Sequence, residues 1–244
     1  VCVGTATQTE VEEQVDLMYS LIHQQVDAIV LVPIDSKALV QPVVEAVRKG
    51  VPVINIDIRL DTQLLEQAGV EVAFVGPDNF AAAYEVGKLL GKKLRNEDKV
   101  AIIEGLAAAD NAQQRKRGFI KAIEEKGLRL VASEPADWET EKAAEVFQAM
   151  WMRYPDLKAV YCSNDAMALG VLQQMQEKNC YLPVVGFDND AVMKEFLSTG
   201  KLVATADIFS SQMAVRGIEF ALDVLEGRIE NRGVHSTAYE IIKQ

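Results

Sequence analysis

At 244 residues, with 49% hydrophobic and 25% charged side chains, the chain has the composition of a globular protein with a sizeable core. Its 25 lysine and arginine residues against 36 aspartate and glutamate residues give a net charge of −11, which argues against a nucleic-acid-binding face. We interpret the longest basic run, Arg115-Lys116-Arg117, as the solvated side of a helix.

Cysteine and histidine are too few and too scattered for a metal site. Cys2, Cys162 and Cys180 show no CxxC spacing, and His23 and His235 are the only histidines, so we expect neither a structural metal nor a metal cofactor. The longest apolar runs are strand-length, far below the ~20 residues of a membrane span. Because the chain opens inside an apolar run without a methionine, we expect a processed or truncated product.

Short β-branched runs alternate with amphipathic stretches along the chain. The predicted strands are, in order, 1–3, 28–33, 51–57, 72–76, 99–105, 128–133, 159–163, 182–188 and 202–207. The predicted helices between them are 9–24, 37–49, 80–95, 111–126, 140–153, 165–178, 190–198 and 210–227. This alternation predicts an α/β protein whose parallel sheets are covered by helices on both faces.

The chain contains an internal repeat. Segments 28–57 and 159–188 are both thirty residues long, and each consists of a strand, a helix, a proline, a second strand and a terminal aspartate. Asp57 in the first copy is equivalent to Asp188 in the second, 131 positions later. The repeat therefore predicts two similar Rossmann-like domains.

The same spacing continues upstream and places Thr7 opposite Trp138. In the second copy a further strand and helix, residues 100–131, come before this region. We therefore expect the first domain to lack one strand and one helix, about 32 residues at usual element and loop lengths. The remaining surface would then be incomplete, or covered by another chain.

Polar residues follow the predicted strands. Ligands of open parallel sheets bind beyond the carboxyl ends of the strands, so facing domains would place Asp57, Asp188, Asn164 and the loops of Thr7 and Trp138 around one cleft. Asn164 precedes a helix, where its side chain is suited both to capping that helix and to contacting a ligand.

Six segments follow one another in a recognisable order: QVDAIVLVPIDSKAL (25–39), GVPVINID (50–57), PADW (135–138), YCSNDAMALG (161–170), VVGFDN (184–189) and GKLVATA (200–206). In this order they resemble the type I periplasmic sugar-binding proteins, the ribose- and galactose-binding group. The resemblance covers essentially the whole chain. Ligand-sensing domains of LacI-type repressors share the same fold.

The resemblance implies a hinge with three chain crossings. They fall near residues 76–78, 206–208 and 235–236. The first domain would comprise residues 1–77 plus 208–236, and the second residues 78–207 plus 237–244, with the ligand cleft between them.

The resemblance also implies roles for individual residues. Asp57 and Asp188 match aspartates that hold sugar hydroxyls, and Asn164 matches a hydroxyl-binding asparagine. Trp138 matches an aromatic residue that stacks on the sugar ring, and Thr7 is its counterpart in the first copy.

At three positions the chain departs from the ribose-type pattern. Ile58 stands where relatives carry a basic contact, and Arg59 follows one place later. Gln113 stands where they carry an arginine contact, whereas Arg115 matches a position retained for packing. At the second crossing Asp207-Ile208 replaces a glutamine contact.

The implied function is a receptor that captures a monosaccharide or sugar-like polyol by hinge closure and delivers it to an ABC-type membrane permease. We expect a monomer that binds no nucleic acid, in the periplasm or anchored outside a Gram-positive cell. The sensing domain of a LacI-type regulator, without its DNA-binding segment, is the alternative. A carboxylate-dependent glycosidase is a third, but the sequence has no Walker loop, GxGxxG or GxSxG motif, so we expect neither an enzyme nor a cofactor.

Overall fold

The computed structural model describes residues 1–243. The helices are α1 (Val11–His23), α2 (Val40–Arg48), α3 (Thr62–Gln67), α4 (Asn79–Gly91), α5 (Asp110–Lys126), α6 (Thr140–Arg153), α7 (Asp165–Glu177), α8 (Met193–Ser198) and α9 (Ser210–Leu225). The strands are β1 (Ile29–Leu31), β2 (Val53–Ile56), β3 (Phe74–Gly76), β4 (Lys99–Glu104), β5 (Arg129–Pro135), β6 (Ala159–Cys162), β7 (Val184–Val185), β8 (Leu202–Asp207), β9 (Val234–Ser236) and β10 (Glu240–Lys243). The predicted α/β class with parallel sheets is confirmed.

By its internal contacts the chain divides into two compact units. Unit 1 contains Val1–Pro77, Ala108–Asn111 and Phe209–Thr237. Unit 2 contains Asp78–Ala107, Ala112–Ile208 and Ala238–Gln244, of which the structure describes residues up to 243.

Unit 1 is built on a four-stranded parallel sheet in the order β1-β2-β3-β9. The larger hydrophobic cluster of this unit joins one face of the sheet to α1, α2 and α3, and includes Met18, Val43 and Leu65. A smaller cluster on the other face joins Ile54 and Ile56 to α9. The sheet is therefore covered unequally on its two faces.

Unit 2 is built on a six-stranded sheet in the order β10-β8-β7-β6-β4-β5. All its neighbouring strands are parallel except β10, which runs antiparallel to β8. Strand β6 is buried along its whole length between β4 and β7. The carboxyl ends of β4 to β8 lie at one edge of this sheet.

The internal repeat is visible in the elements. Helix α3 begins at Thr62 and ends at Gln67, and α8 begins at Met193 and ends at Ser198, 131 positions later at both ends. The same spacing relates β1 to β6 and β2 to β7. Unit 1 contains nothing equivalent to β4 and α5 among its described residues.

The predicted strand at residues 1–3 is wrong. Residues 1–5 have no regular structure, and Val1 is fully exposed. The repeat makes this segment equivalent to part of β5, which pairs only with β4. Because unit 1 has no described counterpart of β4, a strand at residues 1–3 has no hydrogen-bonding partner, and an unpaired strand is not stable.

Other element predictions need smaller corrections. The predicted strand at 182–188 shortens to Val184–Val185, because the chain turns at the residues that follow. Helix α3 and strands β9 and β10 were absent from the predicted elements. Each is short and depends on tertiary contacts, as β9 does on β3 and β10 on β8. None of the helices formed by residues 1–243 is long and apolar enough to span a membrane.

Candidate ligand-binding site

In unit 1, Asp57 directly follows β2 and turns the chain sharply. Its φ is +61°, in the left-handed region that non-glycine residues seldom occupy, and its N–H donates to the Val75 carbonyl at 3.2 Å. The residue is half-buried at the carboxyl edge of the sheet. This is the position at which parallel sheets present side chains to a ligand.

Asn55 fixes the loop that follows Asp57, and sequence reasoning missed it. Its buried side-chain Nδ2 donates to the Ile58 carbonyl at 2.8 Å, and its Oδ1 accepts from the Leu60 N–H at 2.9 Å. Ile58 and Leu60 are consequently buried, and only Arg59 between them points outward, with its guanidinium 5.6 Å from the Phe74 ring centroid. The presence of an asparagine within a buried and otherwise apolar strand could have indicated this structural role.

Thr7 lies in the irregular segment before α1. It is exposed, its N–H donates to Glu10 Oε2 at 2.6 Å, and its hydroxyl lies 3.0 Å from that of Thr9. These contacts are local and precede the start of α1.

In unit 2, Asp188 occupies the position equivalent to Asp57. It follows β7 with a φ of +106°, and its N–H donates to the Ala206 carbonyl at 2.7 Å. Its side chain is 27% exposed and faces a cation, because Oδ1 lies 3.3 Å from Arg115 Nη1. This half-buried carboxylate faces the guanidinium, and a carboxylate can accept hydrogen bonds from several donors.

Arg115 organises this edge of unit 2. Its burial corrects the interpretation of the 115–117 run as a solvated helix face and agrees with the packing position that the resemblance implied. Only Arg117 is exposed, whereas the Arg115 side chain is 3% exposed. Its Nε donates to Asn79 Oδ1 at 2.9 Å and its Nη1 to the Ser163 carbonyl at 2.8 Å. The guanidinium also lies 3.7 Å from the Phe187 ring centroid.

Asn164 caps a helix, as its sequence context suggested. It has extended backbone angles before α7, and its Oδ1 accepts from the Met167 N–H at 2.9 Å. Within residues 1–243 the structure shows no hydrogen bond from its side-chain Nδ2. The cap therefore uses the oxygen and leaves the amide N–H₂ available for a ligand.

Trp138 lies in a turn after β5. Asp137 and Trp138 both have left-handed φ values, 52° and 70°, and Lys142 forms an ion pair with Asp137. The indole packs directly over Gly105, where any side chain would collide with the ring, and Arg115 lies 5.5 Å from the ring centroid. At 8% exposure, little of the ring is accessible.

Gln113 lies in the first turns of α5 and is half-buried. Its Nε2 donates to the Ala107 carbonyl at 3.0 Å, across the loop that precedes the helix. The side chain therefore holds its own loop. Its Oε1 is the group that could face a ligand.

Asp165, next to Asn164, was not among the predicted site residues. It is fully buried, and this burial raises the pKa of its carboxyl to about 8. Its Oδ1 accepts from the Thr205 hydroxyl at 2.9 Å and its Oδ2 from the Asp190 N–H at 2.8 Å. One carboxyl group, which follows the end of β6, thus accepts hydrogen bonds from β8 and from the loop after Asp188.

Within residues 1–243 no three His, Cys, Asp or Glu side chains are grouped closely enough to hold a metal ion. In unit 2 the structure brings Trp138, Asn164 and Asp188 to the neighbourhood of Arg115, which contacts Asp188 and the residue before Asn164 directly. This edge combines hydrogen-bond donors, acceptors and an aromatic ring.

Known proteins resemble the chain along nearly its whole length. It is 41% identical to the D-ribose/D-allose-binding protein of Pseudomonas aeruginosa over 98% of this chain and 76% of that protein. An ABC transporter solute-binding protein from Burkholderia multivorans is 39% identical with a TM-score of 0.95, over 99% of this chain and 86% of the other.

A second solved structure extends the comparison to a bound sugar. It is a periplasmic solute-binding protein of an ABC transporter from Actinobacillus succinogenes with bound D-allose, 31% identical with a TM-score of 0.92, over 100% of this chain and 85% of the other. The sequence profile described as "Periplasmic binding protein domain" matches residues 1–229. The chain therefore belongs to the periplasmic binding protein family, with the two-domain type I fold of its structural neighbours.

Proposed function

We propose that the chain is a transport receptor that binds a monosaccharide or sugar-like polyol and delivers it to an ABC-type importer. The relatives support this, since the similar proteins named above are sugar-binding or solute-binding proteins of such transporters. The receptor acts as a monomer outside the cytoplasmic membrane and performs no catalysis. The two units correspond in this proposal to the predicted domains, which close on the ligand.

One observation carries the proposal. Asp57 and Asp188 occupy equivalent positions in the repeat, each following a parallel strand at its carboxyl end, and each has a positive φ. Such strained backbone costs of order 1–3 kcal/mol per residue and is concentrated at functional sites. Finding it twice at equivalent positions favours a function for both carboxylates.

The chemistry of the surrounding groups suits a polyol. A sugar hydroxyl donates one hydrogen bond and accepts up to two, so it needs acceptors and donors together. The aspartates supply acceptors for charge-assisted bonds, and the free Nδ2 of Asn164 supplies a donor. The accessible part of the Trp138 ring would cover C–H groups of the sugar. Gln113, Arg59 and Thr7 complete the proposed contacts.

Calorimetric titration tests the proposed function. The protein is titrated with D-ribose, D-allose, other pentoses and hexoses, and sugar alcohols, with a panel of amino acids as the control ligands. We expect saturable heat with at least one sugar or polyol and none with amino acids. Binding of an amino acid alone, or of no member of either panel, contradicts the proposal.

Asn164 offers a matched pair of variants that separates ligand contact from capping. Serine is a good N-cap but has no amide, whereas alanine removes both functions. We expect Asn164→Ser to lose about tenfold or more in sugar affinity while keeping stability, and Asn164→Ala to lose both. Full sugar affinity in Asn164→Ser would show that this residue only caps α7.

A further inference from the structure

The loop after β7 is under backbone strain. Asp188 and Asn189 are consecutive non-glycine residues with φ values of +106° and +58°. Such conformations persist only where the surrounding structure holds them in place. The groups that hold this loop therefore determine how the proposed ligand carboxylate of Asp188 is presented.

Two buried side chains, those of Thr205 and Asp165, accept hydrogen bonds from this loop. The Asn189 N–H donates to Thr205 Oγ1 at 3.2 Å, and the Thr205 hydroxyl donates to Asp165 Oδ1 at 2.9 Å. The next backbone N–H, of Asp190, donates directly to Asp165 Oδ2 at 2.8 Å. Thr205 and Asp165 are both fully buried, so water cannot replace these bonds without opening the unit.

The fit around Asp165 is tight on the side of the loop. A Cβ on Gly186 would collide with Asp165 Oδ1, so the carboxyl group occupies space that no side chain at 186 can share. The Asp165 N–H also donates to the Phe187 carbonyl at 2.7 Å. Asp165 is thus fixed to the end of β7 by its backbone and to the loop after β7 by its side chain.

Acidic side chains surround the Asp165 carboxyl group. Asp188 and Asp190, both acidic, are close enough to act electrostatically on the Asp165 carboxyl, which in turn acts on the Cys162 thiol. Arg115 approaches Asp188 from α5. Because burial raises the pKa of the Asp165 carboxyl to about 8, this group is largely protonated at neutral pH, and the loop that carries Asp188 and Asp190 packs against it without the repulsion of a third carboxylate.

We propose that Asp165, acting through Thr205, is a positioning residue that sets the ligand affinity of Asp188. This inference rests on the proposed function, since it concerns the same sugar site. Asp165 itself contacts no ligand. It holds the two N–H groups that follow Asp188, and so keeps the Asp188 carboxylate directed at the site before the ligand arrives.

Thr205 provides the sharper pair of variants. Valine has nearly the shape of threonine but no hydroxyl, whereas serine keeps the hydroxyl. We expect Thr205→Val to weaken sugar binding about tenfold, because it deletes the bridge to Asn189 and Asp165, and Thr205→Ser to bind within about threefold of the unaltered protein. Hydrogen exchange of the Asn189 and Asp190 amides should accelerate in Thr205→Val only.

Asp165 provides the second pair. Asparagine can still accept from the Asp190 N–H and donate to Thr205, whereas leucine, of similar size, can do neither. We expect Asp165→Asn to keep most of the affinity and Asp165→Leu to lose it or fail to fold. If Asp165→Leu does not fold, the Thr205 pair still decides the question.

The outcomes separate this inference from the proposed function. If the unaltered protein binds no sugar, the proposed function fails. If it binds sugar, and Thr205→Val binds it equally well or with a loss that Thr205→Ser does not restore, the positioning role is wrong. A tenfold loss in Thr205→Val that Thr205→Ser restores, with faster exchange of the loop amides, supports it.

Discussion

At the scale of single residues, the burial of Arg115 is the feature with the largest consequence. A guanidinium of 3% exposure is bonded to Asn79 and Ser163, stacked on Phe187 and adjacent to Asp188. Removing the guanidinium leaves the buried Asn79 and Ser163 oxygens without this donor, which typically costs about 1–3 kcal/mol for each group, and removes a cation beside the half-buried Asp188.

We therefore predict that Arg115→Met lowers the free energy of unfolding by about 2–5 kcal/mol and also weakens sugar binding. The matched control is Arg117→Met, two residues along the same helix and exposed, which should change stability by no more than about 0.5 kcal/mol. Urea unfolding of the three proteins measures both values. If both substitutions change stability equally little, the buried contacts of Arg115 contribute little to the free energy of unfolding.

At the scale of elements, α9 carries an uncovered apolar face. Val215, Ile218 and Leu222 are about half exposed, at 54%, 55% and 49%, with spacings that place them on one side of the helix. Their equivalents in α4 by the 131-residue spacing are Tyr84, Gly87 and Gly91.

Helix α5 covers that side of α4. A Cβ on Gly87 would lie 2.8 Å from the Ala122 Cβ, one on Gly91 would lie 3.4 Å from Lys126 Cγ, and the Tyr84 hydroxyl donates to Glu125 at 2.5 Å. Unit 1 has no counterpart of α5 among its described residues, which explains the exposure of the α9 face.

We predict that Ile218→Lys combined with Leu222→Lys changes the stability of the 244-residue chain by less than about 1 kcal/mol, because both side chains already meet solvent. The pair should also reduce self-association and binding of a hydrophobic dye. Gly87→Ile, at the covered equivalent position in α4, is the contrast and should cost about 1–3 kcal/mol through overpacking. A large loss of stability in the α9 variant would show that something does cover this face.

At the scale of the whole molecule, the two units differ in how completely their sheets are paired. Strand β6 of unit 2 has neighbours on both sides, β4 and β7, whereas its equivalent β1 ends the order of strands in unit 1 and pairs only with β2. An edge strand opens by breaking one ladder of hydrogen bonds, and a central strand must break two.

We predict that amide hydrogens in β1 exchange at least tenfold faster than those in β6 under native conditions, and that unit 1 unfolds at lower denaturant than unit 2. Exchange followed by mass spectrometry on peptides 26–34 and 157–165 compares equivalent positions of the repeat. Equal protection of the two peptides, together with a single unfolding transition, would mean that the edge of β1 is covered in solution.

Much of the architecture could be predicted from the sequence because it depends on local pattern. The alternation of β-branched runs with amphipathic stretches predicted the βαβ order, and the predicted repeat of 28–57 and 159–188 is present as β1 and β6, and as β2 and β7, related by 131 positions. Capping by Asn164 was also readable, since an N-cap needs only the residues of its own first turn.

Features that depend on partners distant in sequence were determined by the tertiary structure. Residues 1–3 have a strand-forming sequence, but no described strand of unit 1 stands where their partner would be. Arg115 lies in a basic run interpreted as a solvated helix face. Its burial follows from Asn79 on α4 and from Ser163 and Phe187 in the segments after β6 and β7, which come together only in the folded unit. The hydrogen bond between Thr205 and Asp165, which are forty residues apart in sequence, likewise forms only in the folded unit. Local periodicity fixes which residues form a strand or helix, whereas burial, charge pairing and strained loops depend on which strand ends become neighbours.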